Sequence, residues 1–276
     1  MRLAAALRMA FYPLPVSEAE RLRRFLRFPE SGCAAIDPCV GDGVAFAALT
    51  GNASIFRYGL ELDSYRAEQA RERVQHVIQG NALETHCPVE SLSLLYENCP
   101  YGPELGQDRS QRMEQIFLNH TYRWLKPAGV LVLVIPGERL RECSGILAGQ
   151  FREERVYRLS EPVCVRYKQV VVLAQRLSRR ERELMRDEDI TRARLQYANW
   201  ARNPAQLPVL PAEPDAVYAV PESGPVQLIY RGLPLDEIED LLPSSAAYRQ
   251  AGRLLFPEPT RISGRPLISL KSGAIG

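Results

Sequence analysis

The feature that most constrains this chain is a rhythm of six short apolar, β-rich runs separated by longer stretches of helical period. The runs are "CAAIDP" (33–38), "FRYGLEL" (56–62), "HVIQGNA" (76–82), "SLSLLYEN" (91–98), "GVLVLVIP" (129–136) and "QVVVLAQ" (169–175). Helices are expected between them over 17–28, 43–50, 64–74, 110–125 and 137–150. Ser17, with Glu20 three residues on, reads as a capping box for the first. Alternation of this kind specifies an α/β fold, a sheet with helices on its faces.

Near residue 176 the texture changes. A highly charged helical segment, "RLSRRERELMRDEDITRARLQYANWAR", gives way to the proline-dense "NPAQLPVLPAEPDAVYAVPESGP". The expected division is a first domain over 1–178 and a C-terminal extension over 179–276. The extension carries a strand candidate at 226–232 and an acidic helix candidate at 235–242.

With 276 residues, 46% of them apolar and 25% charged, the chain can build a sizeable core. It contains no apolar stretch near the roughly 20 residues a membrane span needs. The opening "MRLAAALRMAFYPLP" is a poor match to an export signal, so a cytoplasmic protein with no membrane partner is expected. Six cysteines without a CxxC pair and three histidines without zinc-motif spacing point to reduced thiols and no metal. A formal net charge of +2 makes a polyanionic partner depend on a local basic patch.

Two stretches carry chemistry. In "AAIDPCVGDGVAFAAL", Asp37, Pro38, Gly41 and Gly43 stand between a hydrophobic strand and a helix, where α/β sheets bind nucleotides. The third glycine of a dinucleotide fingerprint is missing and Asp37 would repel a pyrophosphate, so a zwitterionic or cationic nucleoside suits the turn better. Glu61 closes the next strand 20 residues after Gly41, the spacing at which an acid reaches ribose hydroxyls. Glycine turns and strand-end acids are also ordinary structural devices; it is the ordered pair that favours a cofactor site.

The second stretch is "NCPY", Asn98, Cys99, Pro100 and Tyr101, at the end of the fourth run. An aromatic or amide amine is a weak nucleophile because its lone pair is delocalised. Asn98 can accept one of its N–H groups, the Cys99 carbonyl, held by Pro100, the other, and Tyr101 offers a stacking face worth roughly 1–3 kcal/mol. Such a site needs positioning rather than a general base. The same residues could simply end a strand in a turn. A nucleophilic Cys99 is a competing reading, with no histidine recognisably beside it.

In this order, "DPCVGDG", "GLELD" and "NCPY" resemble the motifs of class I S-adenosylmethionine-dependent methyltransferases. "NCPY" is similar to the (Asn/Asp/Ser)-Pro-Pro-(Tyr/Phe/Trp) signature of those that modify amines. The resemblance implies a doubly wound, mixed, mostly parallel seven-stranded sheet with S-adenosyl-L-methionine as cofactor. Gly41 and Gly43 would lie beside its methionine moiety and Glu61 on its ribose. Asn81 and Ala82 of "QGNALE" would lie near its adenine, with Asn81 where the family usually has aspartate. Tyr12 and Pro13 of "FYPLP" resemble a segment that packs over the cofactor in γ-type N6-adenine DNA methyltransferases, whose motif order this chain follows; Leu14 departs from the usual threonine. Cys99 departs from the commoner proline, and enzymes that dimethylate adenine in ribosomal RNA tolerate such a change.

The resemblance covers roughly residues 10–175 and implies methyl transfer to an exocyclic amine, foremost adenine N6 in DNA. RNA adenine, a protein glutamine, or a non-catalytic nucleic-acid or partner-binding module are the alternatives. Beyond 175 the arginines at 176, 179, 180 and 182, and the set Arg253, Arg261, Arg265 and Lys271 around Phe256, are candidates for phosphate contact or for holding a protein partner.

Overall fold

The computed structural model describes residues 12–51, 53–102 and 112–232. In chain order its helices are α1 (Val16–Arg24), α2 (Val44–Thr50), α3 (Ser64–Arg71), α4 (Met113–Thr121), α5 (Leu140–Gln150), α6 (Pro162–Arg166), α7 (Arg179–Leu184) and α8 (Asp187–Arg202). The strands are β1 (Leu26–Arg27), β2 (Cys33–Asp37), β3 (Ile55–Glu61), β4 (His76–Gln79), β5 (Thr85–His86), β6 (Leu92–Glu97), β7 (Leu125–Pro136), β8 (Phe151–Arg158), β9 (Gln169–Arg176), β10 (Tyr218–Ala219) and β11 (Ile229–Tyr230).

Seven of the strands form one sheet in the order β4-β3-β2-β6-β7-β9-β8. The first five run parallel, and β9 inserts antiparallel between β7 and β8. This is the seven-stranded mixed, mostly parallel sheet expected of class I methyltransferases. The strands β2, β6 and β9 are buried at every position, which is why they read in the sequence as mainly apolar runs. Two hydrophobic clusters sandwich the sheet. One gathers Leu118, Leu140, Leu147 and Tyr197 from α4, α5 and α8, the other Leu22 and Phe46 from α1 and α2.

Three expectations change. The seventh strand, "FREERVYR", was not among the six runs, because β8 is an edge strand whose middle residues, Arg152 to Arg155, face outward in part. Helix α1 starts at Val16 after Pro15 with no side-chain cap; the Ser17 hydroxyl donates instead to Glu161 Oε1 at 2.7 Å. The strand candidate at 226–232 contracts to β11. The helix candidate at 235–242 lies outside the described residues.

The texture change at 176 marks the end of the last strand of the seven-stranded sheet, while the compact unit that holds the described residues continues to Gly232. Helix α8 packs on α5, β10 pairs parallel with β1, and β11 pairs antiparallel with β5. No described helix is long and apolar enough to cross a membrane.

Candidate active site

Adjacent strands β3, β2 and β6 end on Glu61, Asp37 and Glu97, so the sheet's carboxyl edge carries a row of acids. Beside them opens a cavity of about 530 Å3. Ten of the thirteen residues singled out from the sequence line it: Tyr12, Pro13, Asp37, Pro38, Glu61, Asn81, Ala82, Asn98, Pro100 and Tyr101. Gly41, Gly43 and Cys99 do not.

The two glycines shape the cavity from behind. Gly41 adopts φ 58°, which turns its N–H onto Glu61 Oε2 at 3.0 Å. Gly43, at φ 79°, opens α2, and a β-carbon there would stand 3.3 Å from the Cα of Ala70, so glycine lets α3 approach the turn. Glu61 also accepts from the Asp63 N–H at 2.9 Å and from Arg66 Nη2 at 2.8 Å. Of about four lone-pair directions on a carboxylate, three are thus taken, leaving room for one further donor. Asn81 caps a short 3-10 turn, its Oδ1 accepting from Leu83 N–H at 3.1 Å. Burial, with the charges of Glu61 and Glu97, pushes the Asp37 carboxyl well above the usual range, against the pull of the Cys39 N–H at 2.9 Å.

At the other end of the cavity the "NCPY" residues form a directed chain of hydrogen bonds. Asn98 Nδ2 donates to the Tyr12 carbonyl at 2.8 Å, an atom that can only accept. Asn98 Oδ1 therefore faces Tyr101, whose hydroxyl donates to it at 2.7 Å. The Tyr101 oxygen in turn accepts from Gln169 Nε2 at 2.7 Å, which fixes both amide orientations without ambiguity. The Tyr12 ring stacks on Tyr101, centroids 4.8 Å apart at 10°, and meets Tyr167 edge-on at 4.6 Å. Tyr167 follows α6, whose start is tied to α1 by buried Glu18, which accepts the N–H groups of Ser160 and Glu161 at 2.7 and 2.9 Å.

Tyr167 and Gln169 are residues that sequence reasoning missed. Their only signal was an aromatic and an amide beside the start of an apolar strand, and the partners lie 155 and 68 positions away.

Cys99 is buried beneath the loop, and burial pushes its thiol well above the ordinary range, aided by Glu97. A thiolate nucleophile at this position is therefore disfavoured. Glu97, fully buried, has its carboxyl raised to about 8 by burial against the opposing hydrogen bond with Thr121 at 2.5 Å. Thr121 Oγ1 lies 2.9 Å from the Phe117 carbonyl. A single hydroxyl proton can serve only one of these acceptors, so a neutral Glu97 donating to Thr121 satisfies the set.

Of the first basic cluster, Arg176 is buried and donates to the Gln150 carbonyl and side chain, Arg179 pairs with Glu183, and Arg182 binds the Leu177 carbonyl. Most of that cluster is thus spent on its own fold. The second cluster lies outside the described residues. Among the described residues no group of three metal-ligating side chains occurs.

No curated protein matches the chain. Among solved structures, a putative class I S-adenosylmethionine-dependent methyltransferase from Listeria monocytogenes is similar at 14% identity over 68% of this chain and 71% of its own, with a TM-score of 0.49. TrmN from Thermus thermophilus is similar at 20% over 63% of this chain and 51% of its own, with a TM-score of 0.43. An rRNA methylase from Streptococcus thermophilus is similar at 16% over 61% of this chain and 100% of its own, with a TM-score of 0.42. The profile of the uncharacterised methyltransferase family DUF6094 matches residues 1–223, and the chain belongs to that family.

Proposed function

We propose that this methyltransferase, with S-adenosyl-L-methionine as donor, methylates an exocyclic amine, and that the amine is N6 of adenine in DNA. The observation that carries the reading is the aromatic stack at the "NCPY" loop. The face of Tyr101 accommodates a planar ring at 4.8 Å, with the Asn98 amide hydrogen-bonded to both Tyr101 and the residue that supplies that ring.

The cavity residues fit the cofactor. Glu61 keeps one acceptor direction for a ribose hydroxyl, and Ala82, Leu60, Leu62 and Leu83 give an apolar strip beside the Asn81 amide for a nucleobase. When bound, S-adenosylmethionine supplies an electrophilic methyl on a sulfonium. The remaining work is positioning. Asn98 Oδ1, with one lone pair on the Tyr101 hydroxyl, offers its second to an amine N–H. Tyr101, its hydroxyl held between Asn98 and Gln169, keeps its ring plane fixed for stacking. The Tyr12 ring lies on that face, so the target base enters as Tyr12 moves off. A base in a duplex must first be extruded. Residues 179–276 are proposed to hold the flanking strand or a partner protein.

The test is transfer of tritiated methyl from S-adenosylmethionine to separate DNA, RNA and protein pools, with Asn98→Ala and Tyr101→Ala as controls. Label in DNA that either control abolishes is the expected result. Label confined to RNA or protein would overturn the DNA assignment, and label undiminished in Asn98→Ala would overturn the role of that amide.

A further inference from the structure

The family match ends at residue 223, but the described chain continues for nine residues and reaches the cofactor cavity from outside. Val226 N–H donates to the Tyr58 hydroxyl at 2.7 Å, and Val226 and Leu228 pack on the core. Strand β11 then pairs antiparallel with β5, Tyr230 opposite Thr85, and Arg231 N–H donates to the Glu84 carbonyl at 3.0 Å.

This registration lays the Tyr230 ring against Gly80. A β-carbon at Gly80 would come within 2.5 Å of Tyr230 Cε2, so the ring occupies the space a side chain would need. Gly80 lines the cavity together with the next three residues, Asn81, Ala82 and Leu83. One wall of the cavity is therefore a thin loop with the ring of Tyr230 behind it.

We infer that Tyr230 is a positioning residue for the cofactor, its ring holding the Gly80–Leu83 wall at the spacing a nucleoside requires; this rests on the reading of the cavity as the S-adenosylmethionine site. A loop without a Cβ at its first position has little stiffness of its own. Removing the ring leaves a void behind it into which the wall relaxes, and a bound nucleoside loses contact along its planar face. The hydroxyl adds to the ring's hold, since it accepts a backbone hydrogen bond from Asn81, in the wall itself, beside a long contact with Glu84 Oε2 at 3.4 Å.

Calorimetric titration of the full chain with S-adenosylhomocysteine and with methylthioadenosine tests this without turnover. Tyr230→Phe, which keeps the ring and loses the hydroxyl, should bind both ligands about threefold more weakly than the unmodified chain, and Tyr230→Ala should bind both about tenfold more weakly. The loss should be shared by methylthioadenosine because that ligand keeps the nucleoside and lacks the amino-acid end. Tyr230→Ala binding within about twofold, or a loss for S-adenosylhomocysteine alone, would overturn the inference. Should Tyr230→Ala fail to fold, Tyr230→Leu carries the test, with about fivefold weaker binding expected and binding within about twofold refuting it. No binding by the unmodified chain would instead overturn the cofactor reading itself.

Discussion

Replacing Glu97 by glutamine should make this protein more stable at alkaline pH relative to the native sequence. Glu97 is the last residue of β6, fully buried, and bonded only to Thr121; its second oxygen has no partner. Burial raises its carboxyl from 4.5 to about 8. The unfolded chain releases this proton near the lower value and the folded chain near the upper, so between them the native state holds one proton more. Stability therefore falls as pH rises through that window and levels off above about 8. At about 1.4 kcal/mol per pH unit, the full window is worth of the order of 5 kcal/mol, and the span from about pH 5.5 upward about 3 kcal/mol. Glutamine keeps the shape and donates to Thr121 as the neutral acid does, but has no proton to lose. Urea unfolding of both proteins at about pH 5.5 and pH 9 isolates the effect as a difference of differences, in which other titrating groups cancel. A gain of about 3 kcal/mol for Glu97→Gln across that range is expected. A difference unchanged within about 0.5 kcal/mol would refute the account of Glu97 as a neutral acid beside Asn98.

Two further outcomes follow from the same geometry. Gln169→Leu removes the donor to the Tyr101 hydroxyl, so methyl transfer should slow by roughly tenfold in kcat with cofactor affinity unchanged; an unaltered kcat would contradict the directed chain through Tyr101. Cys99→Ala should retain methyl transfer within about threefold, and the Cys99 thiol should resist iodoacetamide at neutral pH in the folded protein; loss of all activity would restore the nucleophile reading.

The sheet was legible in the sequence wherever a strand is buried on both faces, since β2, β6 and the interior of β7 then read as mainly apolar runs. It was illegible where burial is partial: β8 lies at an edge and carries four polar residues in succession, Arg152 to Arg155, so no run announces it. The capping box at Ser17 failed because tertiary contact with Glu161 outcompeted the local hydrogen bond. In the site, the strand-end residues Asp37, Glu61 and Asn98 converge because parallel strands bring their carboxyl ends to one edge, a consequence of topology that motif order anticipates. Gly41 and Gly43, expected beside the methionine moiety of the cofactor, orient Glu61 and admit α3. Tyr167, Gln169 and Tyr230 come from segments whose approach is set by long-range pairing, and sequence spacing carries no trace of it.

The most direct test of the central claim is mass spectrometry of nucleosides released from unmethylated DNA after incubation with the protein and S-adenosylmethionine. The account predicts N6-methyladenine as the new nucleobase, absent when Asn98→Ala replaces the native protein. Methylation at a ring nitrogen or carbon, or at cytosine alone, would contradict it.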